Sequence, residues 1–390
     1  MMVLAALLVA APVALGLYAY VIYPIALSLA GAGGRRRPPM DEPPEWPTVS
    51  IVVVARNAEH TIRPTIERLV AADYPPNRRQ ILVVSDASTD ATDRIVGEFA
   101  PCGVELHRME SRGGKTVAEN AVAHRLRGEI VVNADASTML ASGSIKSLVR
   151  HFADPTLGVV SGRAVSVPGP VDAVPATWPD AGYYSYEMWV RSLETGFGAV
   201  IGATGGLYAV RRSLFAVPLA PHATRDFASP LVARERGFRS TIDADAVCFV
   251  RHTPSLRREY HRKVRTMVRG LDTLYEFRHL MDPSRHGTFA AMLVSHKLCR
   301  WLVYLLAPLA AVGLALLALA WWPARVAAAL AVVVVGVGLV AVRWPPERRL
   351  PTLLALCGYA VVGGVAGAAA WGRFLRGEHI TVWEPTKRTG

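Results

Sequence analysis

Cysteine is scarce and dispersed: Cys102, Cys248, Cys299 and Cys357 are all there is. No two share the short spacing that holds zinc or a redox pair. All four read as small buried apolar residues of a reduced compartment. Acidic residues are outnumbered by basic ones, 31 to 43, leaving a formal charge of +12. No nucleic-acid-binding motif accompanies that excess, so no nucleic-acid partner is expected. The basic clusters sit beside apolar runs, at residues 35–37, 257–269 and 343–349. That placement suits anionic lipid headgroups and retention on the cytoplasmic side. The apolar runs lack acids and bases in their interiors, which argues against a transport pathway through them. The first run also lacks a basic lead, and it is longer than the roughly 7–15 residues of a signal-peptide core.

What is abundant is apolar residue, 52% of 390, concentrated at the two ends. Residues 3–30 are long enough for one crossing, which takes about 20. They read as an anchor at 1–31, followed by Arg35-Arg36-Arg37, which places the next domain in the cytoplasm. Residues 32–47 are a basic, proline-rich linker. Near the other end, residues 298–322, 326–342 and 353–371 are three further candidate spans, the middle one short enough for a re-entrant path. Residues 287–301 read as an interfacial helix leading into them. Three full crossings would leave the tail outside, whereas Arg373, Arg376, Lys387 and Arg388 favour the inside; the two rules conflict.

Between the ends the pattern alternates between strands and helices. Strands are expected at residues 49–55, 81–84, 104–107 and 130–133, with helices at 61–72, around Ile95, Val96 and Phe99, and at 116–125. This order predicts an α/β domain with a mostly parallel sheet. Ligands bind at the carboxyl edge of such a sheet. Two strands end there in acids, one in Ser85-Asp86-Ala87-Ser88-Thr89-Asp90 and one in Asn133-Ala134-Asp135-Ala136-Ser137. Asp86 is a candidate ligand-binding acid or a cap for the next helix, a role Ser88 or Asp90 could also fill. Lys115, after Gly113 and Gly114, opens a helix, as suits a diphosphate. Residues 202–208 are glycine-rich and permit close backbone approach.

In order, Ser50-Ile51-Val52-Val53-Val54-Ala55-Arg56-Asn57, Val83-Val84-Ser85-Asp86, Gly114-Lys115 with Asn120, and Gly128-Glu129-Ile130-Val131 with Asp135-Ala136-Ser137 resemble the nucleotide-binding half of a family 2 glycosyltransferase. Gly205-Gly206-Leu207-Tyr208 and Arg225-Asp226-Phe227 continue the resemblance. Ser295-His296-Lys297-Leu298-Cys299-Arg300-Trp301 and Trp383-Glu384-Pro385-Thr386-Lys387-Arg388 look like its membrane-seated, polysaccharide-synthase-like branch. The resemblance implies a GT-A, Rossmann-like catalytic domain at 48–285, membrane helices at 286–372 and a tail at 373–390. It implies inverting transfer of a sugar from a nucleotide sugar, expected to be UDP-linked, to a lipid-linked or glycan acceptor at the cytoplasmic or plasma membrane. Polysaccharide export partners would be possible companions.

Residue by residue, the resemblance assigns Ala55, Arg56, Asn57, Asp86, Lys115, Asp135 and Arg265 to the donor. Gly205, Gly206 and Arg225 fall to the acceptor side, and Asp226 is the catalytic base. Mg²⁺ or Mn²⁺ would sit at Asp135 and Ser137. The chain departs from the family in three places. Ser137 replaces the second acid of an Asp-x-Asp pair, Arg225 replaces the first acid of the base motif, and Thr266 stands where a tryptophan follows the matching arginine. The last departure argues against assuming processive synthesis. Together they leave a non-catalytic partner subunit as the alternative. The cluster Trp178, Tyr183, Tyr184, Tyr186 and Trp189 admits sugar stacking, core packing or membrane-interface anchoring.

Overall fold

A computed structural model describes residues 1–31, 42–167, 179–251, 255–345 and 350–382. The chain begins with α1 (Met2–Leu17), which passes through a π turn into α2 (Tyr23–Ala30). Then follow β1 (Val49–Ala55), α3 (Ile62–Val70), β2 (Arg79–Ser85), α4 (Thr92–Gly97), β3 (Val104–Arg108), α5 (Lys115–Val122) and β4 (Ile130–Asp135). A second run comprises β5 (Thr138–Leu140), α6 (Ser144–Arg150), β6 (Leu157–Val167), α7 (Pro179–Thr195), β7 (Leu207–Arg211), α8 (Arg212–Phe215), α9 (Arg225–Glu235) and β8 (Arg239–Arg251). The last run is helical: α10 (Leu256–Glu276), α11 (Pro283–His286), α12 (Thr288–Leu293), α13 (Arg300–Ala320), α14 (Trp322–Val342) and α15 (Thr352–Leu375).

The strands form one eight-stranded sheet in the order β3-β2-β1-β4-β7-β6-β8-β5. The first four are mutually parallel. β7 runs antiparallel to both β4 and β6, β8 is parallel to β6, and β5 closes the far edge antiparallel to β8. Every residue of β1 is buried. Its alternate members Val49, Ile51, Val53 and Ala55 join Ile62, Ile66 and Leu69 of α3 in the core. β-branched side chains suit a strand covered on both faces, and the helix-period stripe of α3 supplies one cover. Register brings Val54 beside Asp135 and Ala55 beside Ser85. The acid-bearing strand ends therefore meet at one sheet edge, as the alternating pattern implies.

The chain divides into two compact units: residues 33–252 with 380–390, and residues 1–32 with 253–379. Residues 253–285 group with the helical unit, in which α10 buries Leu256, Val264, Val268 and Leu271. Among the described residues of that unit, four segments are long and apolar enough to cross a membrane: Met2–Ala30, Thr288–Ala320, Trp322–Val342 and Thr352–Leu375. α1 lies against α13, with Ala5 beside Gly313 and Gly16 beside Val303. Only Cys248 of the four cysteines is buried; Cys102 is exposed and Cys299 and Cys357 are intermediate. Arg35 to Arg37, most of the proline-rich linker, Arg348, Arg349 and the Trp383 to Arg388 motif lie outside the described residues.

Candidate active site at the carboxyl edge of the sheet

Two loops at the sheet edge are laced together. Asn57 and Ala87 both adopt positive φ, at 45° and 53°, an uncommon conformation that needs support from its surroundings. Side-chain oxygens supply that support. The Asn57 amide donates to Ser88 Oγ at 3.2 Å, and the Thr89 amide donates to Asn57 Oδ1 at 2.9 Å. Glu59 and Asp90 each accept a backbone N–H from the opposite loop. Arg56 closes the junction by donating to the carbonyls of Asp86 and Ala87. Asp90 also accepts from the Thr92 amide at 3.0 Å, so the entry to α4 is held by Asp90 and not by Asp86.

Asp86 is fully buried. One carboxylate oxygen accepts the Gly113 amide at 2.7 Å and the other the Gly114 amide at 3.0 Å. The carboxylate therefore holds the glycine loop that presents Lys115. Gly114, at φ 89°, lies against the backbone of Thr381. Residues 380–382 thus pass over the glycine loop within the same compact unit, a contact with no signal in local sequence.

Lys115 opens α5 and reaches across to β4, its Nζ 2.6 Å from Asp135 Oδ1. Burial pulls its amine down, but the carboxylates of Asp135, Glu119 and Asp226 outweigh that and hold it above its ordinary value. The Asp135 side chain is 42% exposed, in contrast to Asp86. Asp226, in the first turn of α9, places its carboxylate against Gly205; a Cβ there would stand 2.7 Å from Oδ2. The Ala203 amide donates to the Asp226 carbonyl at 2.9 Å, which fixes the glycine-rich loop to the start of α9. Gly206 stands against Thr138 and Cys248.

Arg225 turns into the protein and is 4% exposed. Its Nε lies 3.3 Å from Glu119, which is fully buried, and its Nη2 donates to Asn120 Oδ1. Its Nη1 donates to the Phe215 carbonyl at 2.9 Å, and the guanidinium stacks on the Phe215 ring. These contacts make Arg225 a buried tie between α9 and α5, which differs from the acceptor-facing role expected of it. Sequence reading missed Glu119 because an acid four residues after Lys115 in a helix usually marks a solvated face. Its partner in space lies more than a hundred residues away. Tyr208 is likewise buried, and burial with nearby Glu119 pushes its phenol well above the ordinary value.

The site therefore brings Ala55, Arg56, Asn57, Asp86, Lys115, Asp135, Gly205, Gly206 and Asp226 to one sheet edge. Arg265 belongs to α10 in the other unit. Trp178 and the side chains of Tyr183 and Tyr184 lie outside the described residues, while Tyr186 and Trp189 pack ring against ring at 5.9 Å. Among the described residues no three His, Cys, Asp or Glu side chains gather to hold a metal. What is present is one part-exposed carboxylate, with Lys115 on one of its oxygens, and the Ser137 hydroxyl two residues on. That donor set fits a hard cation completed by ligand oxygens, not a closed protein cage.

A parallel-to-mixed sheet with acids at its carboxyl edge and a lysine at a glycine-loop helix start defines the GT-A architecture. The solved structure of the mannosyltransferase PcManGT from Pyrobaculum calidifontis, in complex with GDP-Man and Mn²⁺, shares that fold. It aligns at TM-score 0.72 and 23% identity, over 97% of this chain and 99% of that one. Residues 50–216 match the profile of Glycosyl transferase family 2. A β-monoglucosyldiacylglycerol synthase of Synechocystis sp. is 30% identical over 151 residues, 35% of this chain and 32% of that protein. An N-acetylglucosaminyltransferase of Rhizobium sp. is 27% identical over 262 residues, 62% of this chain and 57% of that one. The chain thus spans about a third of the first of these relatives and just over half of the second.

Proposed function

We propose that this protein is a membrane-seated inverting glycosyltransferase. It takes a nucleotide sugar, UDP-linked in the first instance, and passes the sugar to a lipid-linked or glycan acceptor at the cytoplasmic face. The observation that carries this reading is the 2.6 Å pair of Lys115 and Asp135 at the sheet edge, with the Asp226 carboxylate set against Gly205 in the same field of charge. Ala55, Arg56, Asn57 and Asp86 shape the nucleotide end. Lys115 offers a point cation to the diphosphate. Asp226 accepts the proton of the attacking hydroxyl as the nucleoside diphosphate departs. Asp135 and Ser137 would hold Mg²⁺ or Mn²⁺, which supplies positive charge against the leaving diphosphate. Gly205 and Gly206 leave room for the sugar.

The relatives named for glycolipid synthesis favour a lipid acceptor over a growing polymer. The buried pair of Arg225 with Glu119 accounts for one of the family departures as a structural exchange of charge, which weakens the reading as a non-catalytic subunit. The test is release of nucleoside diphosphate from a panel of nucleotide sugars. Purified protein would be incubated with Mg²⁺ or Mn²⁺ and a membrane lipid extract as acceptor, and the glycosylated product identified by mass. Turnover of one donor with a sugar-bearing lipid is the expected result. Donor binding without any transfer, across donors and acceptors, would move the assignment to the non-catalytic subunit.

A further inference from the structure

α15 is apolar enough to cross a bilayer, yet its packing holds it to one face. α13 and α14 are joined through Trp321 alone, so a hairpin of two crossings returns the start of α13 and the end of α14 to the same side. The first half of α15 lies at the end of α14: Gly358 meets Ala341, and Gly338 meets Cys357 and Val361. The second half lies at the start of α13: Gly367 meets Tyr304, and Trp371 Nε1 donates to the Trp301 carbonyl at 2.7 Å. The helix thus runs from one foot of the hairpin to the other. From residue 358 to residue 371 that is about 20 Å of helix at 1.5 Å per residue.

α10 runs beside it in the same direction. Leu256 packs on Gly358 near one end; near the other, the Tyr275 ring stands 6.1 Å from that of Phe374. His379 Nδ1, just past α15, lies 3.0 Å from Asp272. α10 carries six basic residues (Arg257, Arg258, Arg262, Lys263, Arg265 and Arg269) and three acids. A helix so charged does not enter hydrocarbon, and its neighbour along the whole length cannot cross without it. An amphipathic basic helix lies instead in the headgroup layer.

We infer that α15 does not span the membrane but lies in the interface beside α10. Leu353, Leu356, Val365 and Leu375, each at least half exposed, face the acyl layer, and the exposed Arg257 and Arg258 of α10 meet anionic headgroups. The chain then crosses three times: at α1 and α2, at α12 and α13, and at α14. Arg343, Arg373 and Arg376 all fall on the catalytic side, and the conflict between crossing number and positive charge disappears.

The experiment is labelling by a membrane-impermeant maleimide, in spheroplasts and in inverted vesicles, of chains with a single cysteine each. The native Cys102 reports the catalytic domain, Trp322→Cys the hairpin tip, Leu350→Cys the loop before α15 and Glu378→Cys the start of the tail. The expected pattern is 102, 350 and 378 on one face and 322 on the other. Labelling of 378 together with 322 would show that α15 crosses, and labelling of 350 with 322 that α14 does not; either overturns the inference, as does all four on one face. Cysteine replacement can disturb folding, so a fluorescent protein fused after Gly390 of the unaltered sequence gives a second readout. Fluorescence is expected; a dark fusion beside an active periplasmic phosphatase fusion at the same point would overturn the inference.

Discussion

Asp86 follows β2 and Asp135 ends β4, the two strands that flank β1 at the same sheet edge, yet their surroundings differ in kind. Asp86 is fully buried and both oxygens are taken by amides of the glycine loop. Asp135 is part exposed and shares one oxygen with Lys115. Two acids of the same type in the same topological position thus divide into one that builds the site and one left available to a ligand. A strand end places an acid at the edge, but the number of donors already on it decides whether it can take part in chemistry.

Substitution should separate the two. Asp135→Ala is expected to lower donor turnover about 10³-fold, the scale of losing one preorganised electrostatic contact, while the melting temperature stays near that of the parent. Asp86→Ala should do the reverse in emphasis. It leaves the part-buried Gly113 amide and the buried Gly114 amide without their acceptor, the buried one alone a loss of about 1–3 kcal/mol, so thermal stability falls and the donor KM rises with it. Equal losses of stability in both variants would erase the contrast.

The same contrast extends to Glu119 and Arg225, a buried pair beneath the site. Glu119→Gln leaves an uncompensated guanidinium and should destabilise the fold by about 3–5 kcal/mol. Replacing both, with Glu119→Gln and Arg225→Met, should recover much of that loss, measured by urea unfolding. No recovery in the double variant would mean that the two do not act as a pair. Gly114→Ala follows in size. At φ 89° and against the Thr381 backbone a side chain is strained, with a cost of about 1–3 kcal/mol. The effect should be read as weaker nucleotide binding, and truncation after His379 should relieve only the steric part.

The smallest effect lies far from the chemistry. Asp243 is drawn up by burial, but its hydrogen bonds with His151, the Asp245 amide and Arg150 outweigh that and hold its carboxyl below the usual range. A depressed carboxyl stabilises the fold above its unfolded pKa of about 3.9, and that stability is lost as pH falls through the lower folded value. Asp243→Asn should therefore cost about 1–3 kcal/mol near neutral pH and progressively less as pH falls below about 4, followed by thermal melts across the acid range.

Much of the fold was legible because its cause is local. β1 and β4 are β-branched runs that cannot be mistaken for helix, and Asp135 at the end of β4 announces a sheet edge. Gly113-Gly114-Lys115 reads as a glycine loop before a helix, and α5 begins at Lys115. What escaped was set by distant pairing. Glu119 looks solvated until Arg225 arrives from a helix far along the chain. Residues 253–285 look like a continuation of the catalytic domain until α15 supplies the surface that α10 buries. α15 itself has the composition of a membrane span, and only its neighbours reveal which way it runs.

The measurement that bears most directly on the proposed chemistry compares donor binding with transfer in Asp226→Asn. The isosteric amide keeps the contact with Gly205 but cannot take a proton. The dissociation constant of the Mn²⁺-loaded donor is expected to stay within about threefold, while transfer falls by about 10²–10⁴, the contribution of a positioned general base. Transfer at the parental rate in that variant would contradict the assignment of Asp226 and, with it, the mechanism proposed for this site.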